Sequence, residues 1–306
     1  MVSEVSILIP VFNQDVTAMV HTLIAQCKRL AVRYEILLYD DGSDEDIKNL
    51  NRLLAKQKRV IYFELPENIG RAAIRNRLAQ DARYDYLLML DNDCLPVSPN
   101  FLYNYLVAAP KSEVVIGGIA YVSKAPDRPY RLHWKYGKVR GSKNARERQK
   151  NPYGDIYLCN ALVRRDIFLH FPLREKLKRY GHEDTVFAQE MRQNNIHIKH
   201  IQNPVIHLGL EQTPIMLAKT YQAVDNLVQL YHDGEELEEI KLVKVFEKLN
   251  SLRLVNTYTL FFSGLERAVR HNLKSSHPNL LLFDLYRLYL FGKKVQQAPE
   301  LTPVSA

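Results

Sequence analysis

Short apolar runs alternate with longer amphipathic stretches over the first half of this chain. The apolar runs predict strands, and the stretches between them carry apolar residues at helical spacing. Strands that alternate with helices of this length form βαβ units, so the pattern predicts an α/β fold with a mostly parallel sheet. The predicted strands are 5–9 (stopped by Pro10), 35–39, 60–63 and 86–90, and the predicted helices are 15–30, 44–57 and 68–82.

The pattern continues less regularly after residue 100. The predicted elements are a strand over 114–121 with a glycine break, a strand over 156–163, a helix over 183–193 and a strand over 205–207. From Pro214 onward the pattern is almost entirely helical, and it ends in a polar tail after Lys294.

A long polar segment, 127–154, interrupts these elements. Loops of this length inside a compact domain are usually functional lids or disordered segments. We expect a loop that either binds an anionic group or is simply solvated and flexible. Its basic residues are Arg128, Arg131, Lys135, Lys138, Arg140, Lys143, Arg146, Arg148 and Lys150.

Composition places the chain among folded globular proteins. Its 306 residues, 46% of them hydrophobic, can bury the core of one large domain or one and a half. No apolar run approaches about 18 residues and the N-terminus lacks a signal-peptide pattern, so we expect neither a membrane span nor a leader. The cysteines, Cys27, Cys94 and Cys159, have no metal-binding spacing, which favours a reducing cytoplasm.

The net charge of +8 permits nucleic acid, anionic lipid or phosphorylated small molecules as partners. The sequence has no zinc-finger spacing, aromatic RNA-binding signature or basic heptad region. We therefore expect no nucleic acid, and anionic lipid and phosphorylated small molecules both stay open as partners.

Two carboxylates follow the apolar run 86–90 directly, Asp91 and Asp93 in the sequence Asp-Asn-Asp. In open α/β sheets ligands bind at the carboxyl ends of the strands. Two acids at this edge repel each other unless a cation lies between them, so the pattern suggests a divalent metal that holds a phosphate group. The alternative is an ordinary Asp/Asn turn after a strand.

Three further features point to the same edge, each with a structural alternative. Asp41 closes the second predicted strand, where it either accepts from a nucleotide or belongs to an ordinary Asp-Gly turn. Glu183 and Asp184 open a helix, whose dipole favours an ionised base, although simple capping explains them equally well. His207 ends a short strand and is either a metal ligand or a core histidine.

Taken together these motifs resemble the family 2 glycosyltransferases over residues 3–209, in the family's order. The similar segments are SILIPVFN (6–13), LYDDGS (38–43), NIGRAAIRN (68–76), the DxD motif (91–93), the acidic pair (183–184) and the downstream histidine (207). The resemblance implies a GT-A fold over 1–212, with a nucleotide-sugar-binding half (1–95) and an acceptor-binding half (96–212), followed by a helical extension (213–306).

The resemblance also implies how the donor would be bound. Asp41 would hydrogen-bond the uracil or other base, Arg71 or Arg75 would lie near the base or phosphates, and Asp91 would contact ribose or metal. The other donor-binding positions that it implies are Pro10, Phe12, Asn13 and Asn92.

For the chemistry, the resemblance implies that Asp93 is the firm metal ligand and that His207 completes the coordination. Asp184 would deprotonate the acceptor hydroxyl, and Glu183 could exchange roles with it. A mixed carboxylate and imidazole set suits Mn²⁺ over Mg²⁺. Direct displacement by the acceptor would invert the anomeric centre.

The implied reaction moves one sugar, with a UDP-sugar as the expected donor, to a glycan or lipid-linked acceptor in cell-surface glycan or polysaccharide biosynthesis. The acceptor motif of processive synthases is absent, which favours single-sugar addition. Cytoplasmic location is expected, and peripheral contact with the inner face of the membrane and oligomerisation through the C-terminal helices both remain open.

Other functions fit the residues less well. A nucleotidyltransferase needs a Gly-rich, Arg-containing loop after the first strand, and a nicotinamide dehydrogenase needs G-x-G-x-x-G there. Residues 11–14, Val-Phe-Asn-Gln, match neither. A haloacid-dehalogenase-type phosphatase would carry paired aspartates after that same strand. The alternative from another class is a catalytically idle scaffold that binds a nucleotide sugar or a partner protein.

Overall fold

The computed structural model describes residues 1–177, 179–237 and 239–297. These residues fall into two compact units. Unit 1 consists of Met1–Val122, Gly137–Lys178 and Glu183–Gly209, and unit 2 consists of Ser123–Tyr136, Arg179–His182 and Leu210–Ala306. The domain boundaries expected at residues 95 and 212 stay predictions.

Strands and helices alternate through unit 1, as the sequence predicted. Its strands are β1 (Glu4–Val11), β2 (Arg33–Asp40), β3 (Val60–Glu64), β4 (Tyr86–Leu90), β5 (Cys94–Pro96), β6 (Val114–Ile116), β7 (Ile119–Ala120), β8 (Asn160–Arg164), β9 (Ile198–His200) and β10 (Val205–His207). Its helices are α1 (Thr17–Arg29), α2 (Glu45–Asn51), α3 (Arg71–Asp81), α4 (Phe101–Ala108), α6 (Ala145–Arg148), α7 (Arg165–His170) and α8 (Glu183–Gln193), while α5 (Arg131–Tyr136) belongs to unit 2.

The main sheet has seven strands among the described residues, in the order β3-β2-β1-β4-β8-β6-β9. The pairs β2–β3, β1–β2, β1–β4 and β6–β9 are parallel, and β8 runs antiparallel to both of its neighbours. The α/β fold with a mostly parallel sheet is therefore confirmed. Strand β1 runs one residue past Pro10, to Val11, whose carbonyl accepts from the Asp41 N–H.

Helices cover both faces of this sheet, because successive side chains of a strand point to opposite sides. Ile7 packs in one core with Leu23 of α1, while Leu8 packs in the other with Ile74 of α3 and Phe187 of α8. Strands buried on both faces read as continuous apolar runs, which is why β1, β2 and β4 were visible in the sequence.

The segment 127–154 is not the long loop that the sequence predicted. It forms a 3₁₀ turn (Arg128–Tyr130), helix α5, a π-helical turn (Gly137–Gly141) and helix α6. A capping box between Asn144 and Glu147 starts α6. The predicted strand over 156–163 is also wrong in its first half, because pairing begins only at Asn160. Ile156 and Leu158 are buried without being part of a strand.

Arg148 anchors the part of this basic segment that belongs to unit 1. Its side chain is fully buried and donates to the carbonyls of Gly117 (3.0 Å), Ile201 (2.7 Å) and Lys143, and its Nε donates to His200 Nδ1 (3.1 Å). A buried guanidinium must be surrounded by acceptors. Backbone carbonyls from three segments supply them here, so Arg148 ties the segment to the sheet.

Unit 2 is mainly helical, with α5, α9 (Thr213–His232), α10 (Lys241–Ser251), α11 (Val255–Leu273) and α12 (Leu280–Gln297). Edge-on contacts join Tyr231, Phe246 and Phe291 at ring-centroid distances of 5.0–5.7 Å. Helix α12 continues past Lys294, and the predicted tail over 298–306 lies outside the described residues. None of the helices over the described residues combines the length and apolar character needed to cross a bilayer.

Replacing the buried arginine tests the anchoring role. We expect Arg148→Met to lower the free energy of unfolding by about 2–4 kcal/mol, because several buried carbonyls lose their donors. The matched control is Arg146→Met, an exposed neighbour on the same helix, which should change stability by less than about 0.5 kcal/mol. Urea unfolding measures both, and equal midpoints for the two variants would contradict the assignment.

Candidate active site

The carboxyl ends of β1, β2 and β4 bring together the predicted donor-binding residues of the N-terminal part. Pro10 pairs in register with Tyr39 of β2, which places the loops after the two strands side by side. The Asn13 N–H donates to Ser43 Oγ (2.8 Å), and Asn13 Oδ1 accepts from the Asp44 N–H (2.7 Å). The ring of Phe12 is half-exposed beside this junction.

Asp41 joins this edge to the start of α3. One of its carboxylate oxygens accepts from the Ile69 N–H (2.7 Å) and the other from the Gly70 N–H (3.2 Å). Gly42 has φ +85°, and a Cβ there would lie 3.3 Å from the Asn68 nitrogen. Burial raises the pKa of Asp41, while the two N–H donors lower it. The carboxylate therefore fixes the 68–70 loop against the end of β2.

Asp91 is held by two arginines of α3. It forms an ion pair with the buried Arg75, and its Oδ2 lies 3.3 Å from a terminal nitrogen of Arg71. Burial opposes its charge, but Arg75 and Arg71 outweigh that effect and lower the pKa of Asp91. Arg71 also reaches Glu183 Oε1 at 3.1 Å. This chain of ion pairs connects the end of β4, the first turn of α3 and the first turn of α8.

Asp184 lies next to this chain and has an unusual acidity. Burial and then the neighbouring charge of Glu183 raise the pKa of Asp184 to about 7, against the opposing effect of Arg75 and Arg71. Its Oδ2 accepts from the Leu158 N–H at 3.3 Å. A buried carboxylate that is half-ionised near neutral pH is suited to proton transfer.

A second, three-stranded sheet, β5-β10-β7 among the described residues, positions the other two predicted ligands. His207 is in register with Cys94, the residue after Asp93. The Leu208 N–H donates to the Asp93 carbonyl (2.8 Å), and His207 Nε2 lies 3.5 Å from Asp93 Oδ2. The fold therefore brings together Asp93 and His207, the two residues that the sequence predicted as metal ligands.

Gly209 belongs to this site and was not among the predicted site residues. A Cβ at this position would lie 2.1 Å from Asp93 Oδ2. Only glycine permits the backbone to approach the carboxylate so closely. The glycine two residues after the histidine was the available signal.

Tyr121 is the second residue that sequence reasoning missed. It follows β7, which runs parallel to β10, and its ring stacks on the His207 imidazole with 5.5 Å between centroids and 24° between planes. A Cβ on Gly137 would lie 2.1 Å from the Tyr121 ring, and one on Gly141 would lie 3.9 Å from it. The basic π-helical turn therefore packs on a tyrosine that itself packs on the histidine.

Asn92 contacts the loop that follows β1. Its side-chain amide donates to the Phe12 carbonyl at 3.1 Å.

All the predicted site residues belong to unit 1. Within the described part of the chain, no three His, Cys, Asp or Glu side chains are grouped as a metal site, so Asp93 and His207 stand as a pair.

Sequence comparison identifies relatives of the N-terminal part. The model for the family described as Glycosyl transferase family 2 matches residues 6–171. An uncharacterized glycosyltransferase of Haemophilus influenzae is 38% identical over 112 residues, which are 34% of this chain and 44% of that protein. An undecaprenyl-phosphate 4-deoxy-4-formamido-L-arabinose transferase of Pseudomonas fluorescens is 34% identical over 93 residues, 29% of this chain and 27% of that protein.

The matched region is thus less than half the length of these relatives. An uncharacterized glycosyltransferase of Rickettsia felis, 38% identical over 96 residues, is matched over 30% of this chain and only 15% of its own length.

Solved structures resemble nearly the whole chain. A mannosyltransferase from Pyrobaculum calidifontis, in complex with GDP-Man and Mn²⁺, has a TM-score of 0.58 at 12% identity, covering 95% of this chain and 86% of its own. Residues 1–349 of S. aureus TarS, in complex with UDP-GlcNAc, have a TM-score of 0.50 at 13% identity. That match covers 96% of this chain and 92% of the TarS chain. At this identity the likeness shows the fold alone, which is GT-A.

Proposed function

The chain belongs to glycosyl transferase family 2, and we propose that it moves one sugar from a nucleoside-diphosphate sugar to an acceptor hydroxyl with inversion at the anomeric carbon. One set of contacts carries the proposal. Asp93 Oδ2 and His207 Nε2 lie 3.5 Å apart, and the neighbouring Asp91 is linked through Arg71 to Glu183, the residue before Asp184. A chain of ion pairs therefore connects the candidate metal pair to a buried carboxylate whose pKa is raised to about 7, chiefly by burial.

The donor's nucleotide would bind along the ends of β1 and β2. The half-exposed ring of Phe12 offers a stacking surface, and Asn13 orients the adjoining turn. Asp41 uses two of its acceptor positions on backbone N–H groups, so it retains the capacity to accept from a base N–H. We favour a UDP-sugar. The neighbours solved with UDP-GlcNAc and with GDP-Man support nucleotide sugars as the class.

A divalent cation, Mn²⁺ or Mg²⁺, fits Asp93 and His207. Two ligands bound at about 2.1 Å to one octahedral ion lie between about 3 and 4.2 Å apart, and Asp93 Oδ2 and His207 Nε2 are 3.5 Å apart. Bound there, the ion would supply Lewis-acid stabilisation of the departing diphosphate. With only two protein ligands, the remaining positions would be left to phosphate oxygens and water.

Asp91 is better suited to positioning than to metal ligation. Both of its oxygens already face arginines. We propose that it holds Arg71 and Arg75 so that their positive charge faces the diphosphate. Charge-assisted donors of this kind stabilise negative charge that develops on a leaving group.

Asp184 would act as the general base, and Glu183 would set its acidity. A base is most effective when its pKa lies near the working pH. The ionised fraction of Asp184 near neutrality accepts the proton of the acceptor hydroxyl as that oxygen attacks the anomeric carbon. Glu183, in contact with Arg71, raises the pKa of its neighbour and ties α8 to α3.

The acceptor would be a glycan or a lipid-linked saccharide made on the cytoplasmic side of a membrane. The name of the Pseudomonas fluorescens relative specifies undecaprenyl phosphate. An idle nucleotide-sugar-binding scaffold is the competing function. Turnover of UDP-, GDP- and dTDP-sugars with Mn²⁺, with and without EDTA, separates the two, because a scaffold binds a donor without consuming it.

Removing the carboxylate ligand tests the metal assignment. We expect Asp93→Ala to weaken Mn²⁺-dependent binding of the donor nucleotide by about 100-fold or more, since changes in residues that only support metal ligands already cost about 10–100-fold. Calorimetric titration with UDP and GDP, with Mn²⁺ or EDTA, measures this. The control is Asp44→Ala, which removes an exposed carboxylate in the turn after β2. Unchanged metal dependence in Asp93→Ala would refute the assignment.

The base assignment has a pH signature. Asp184→Asn should keep nucleotide binding while kcat falls about 10²- to 10⁴-fold. In the parent protein kcat should rise with pH up to about 7 and then level, because only the ionised carboxylate accepts a proton. Glu183→Gln should move this rise to lower pH, since the charge that raises the pKa is gone. If Glu183→Gln leaves the midpoint of the kcat–pH profile unchanged, the assignment of Asp184 as the base is wrong.

The stack on His207 predicts an effect on metal affinity without a change of ligand. Tyr121→Leu removes the ring that orients the imidazole, so Mn²⁺ should bind about 10- to 100-fold more weakly. Tyr121→Phe keeps the ring and should restore the affinity. Electron paramagnetic resonance of free and bound Mn²⁺ reports this without any turnover. The control is Tyr103→Leu, an exposed tyrosine of α4. Parent-like Mn²⁺ affinity in Tyr121→Leu would exclude the orienting role.

A further inference from the structure

Helix α11 of unit 2 exposes an apolar face. Among the described residues, four large apolar side chains are more than 60% exposed, and three of them lie on α11 and at the start of α12: Leu260 (77%), Phe261 (68%) and Leu281 (64%). Leaving such side chains in water is unfavourable, and adjacent ones commonly mark an interaction surface.

These residues follow helical spacing. Leu260, Phe261, Gly264, Leu265 and Ala268 occupy positions i, i+1, i+4, i+5 and i+8, which share one side of a helix, and all of them are exposed. We call these five residues the α11 face.

The opposite side of α11 is the packed one. Phe262 stacks on Tyr289 of α12 with 5.0 Å between ring centroids, and Val269 and Leu273 are buried. Helix α11 therefore has one apolar side inside the unit and a second apolar side in water. Packing within unit 2 explains only the first.

Basic side chains accompany the exposed side. Residues 241–297 contain ten Lys and Arg but only three Asp and Glu, in a chain whose total net charge is +8. Arg267 and Lys274 lie 7 and 14 residues after Leu260 along its edge of the α11 face, and both are exposed. An apolar helix face with a cationic border is the arrangement that binds at a lipid–water interface.

We propose that the α11 face binds the surface of a membrane that contains anionic lipid. Leu260 and Phe261 enter the acyl boundary, and Arg267 and Lys274 pair with the phosphate groups above them. Charge favours a lipid surface over a second copy of this chain, because two copies would bring like charges together whereas anionic lipid neutralises them. The proposal does not depend on the transferase activity.

Co-sedimentation of the full chain with vesicles tests this, using phosphatidylcholine with phosphatidylglycerol and phosphatidylcholine alone, at low and high salt. The parent should bind the anionic vesicles and dissociate as salt is raised. The double variant Leu260→Ser/Phe261→Ser should bind about tenfold or more weakly, through lost apolar burial. Arg267→Gln/Lys274→Gln should bind roughly 20- to 30-fold more weakly at low salt, at about 1 kcal/mol per charge.

Matched controls separate this surface from general stickiness. Leu53→Ser/Val97→Ser removes two similarly exposed apolar side chains of unit 1, and Arg146→Gln/Lys150→Gln removes two exposed charges there. Both should bind like the parent, and circular dichroism establishes that every variant is folded. Parent-like binding by Leu260→Ser/Phe261→Ser overturns the proposal, as does equal or absent binding of the parent to both vesicle types. A dimer in sedimentation equilibrium that Leu260→Ser/Phe261→Ser converts to monomer would assign the face to a second copy instead.

Discussion

The ion pair between Arg75 and Asp91 is the interaction on which the site in unit 1 depends. Both side chains are largely withdrawn from water, where an unpaired charge would cost several kcal/mol. Their pairing fixes the end of β4 against α3, and Arg71 extends it to Glu183 on α8. The elements that carry Asp91 and the acidic pair, Glu183 and Asp184, are thereby joined by charge, which contributes to the electrostatic surroundings of Asp184.

The order of the main strands and helices was accessible from the sequence because burial on both faces of a parallel sheet leaves continuous apolar runs. The same signal failed at Ile156 and Leu158, since an apolar pattern reports burial and these residues are buried without strand pairing. The part of the basic segment around α6 was predicted as a loop because its anchor, Arg148, has three of its four acceptors, at Gly117, His200 and Ile201, more than 30 residues away in the chain. No local pattern reveals these contacts.

The candidate site also has a part that the sequence predicts and a part that only the fold reveals. Carboxylates at strand ends could be predicted, because topology brings the ends of parallel strands to one edge. The acidity of Asp184 could not, because it follows from burial and from neighbours brought close only by folding. The contact of Tyr121 with the candidate site could not be predicted from the sequence either. Its stacking partner, His207, is far away in sequence, and only the pairing of β7 with β10 makes them neighbours.

The buried Arg148 side chain and its four hydrogen-bond acceptors form a clamp, and this clamp makes the fold sensitive to acid. No carboxylate is among the acceptors that the structure gives this guanidinium, and one acceptor is the His200 imidazole, whose Nδ1 lone pair exists only when that nitrogen is unprotonated. Burial, assisted by Arg148, lowers the pKa of His200. The unfolded chain therefore takes up the proton at a higher pH than the folded chain. Stability from this clamp is complete above the usual titration range of histidine and declines as the pH falls through it. Mild acid therefore weakens the contacts that hold the segment around α6, which follows the turn packed on Tyr121.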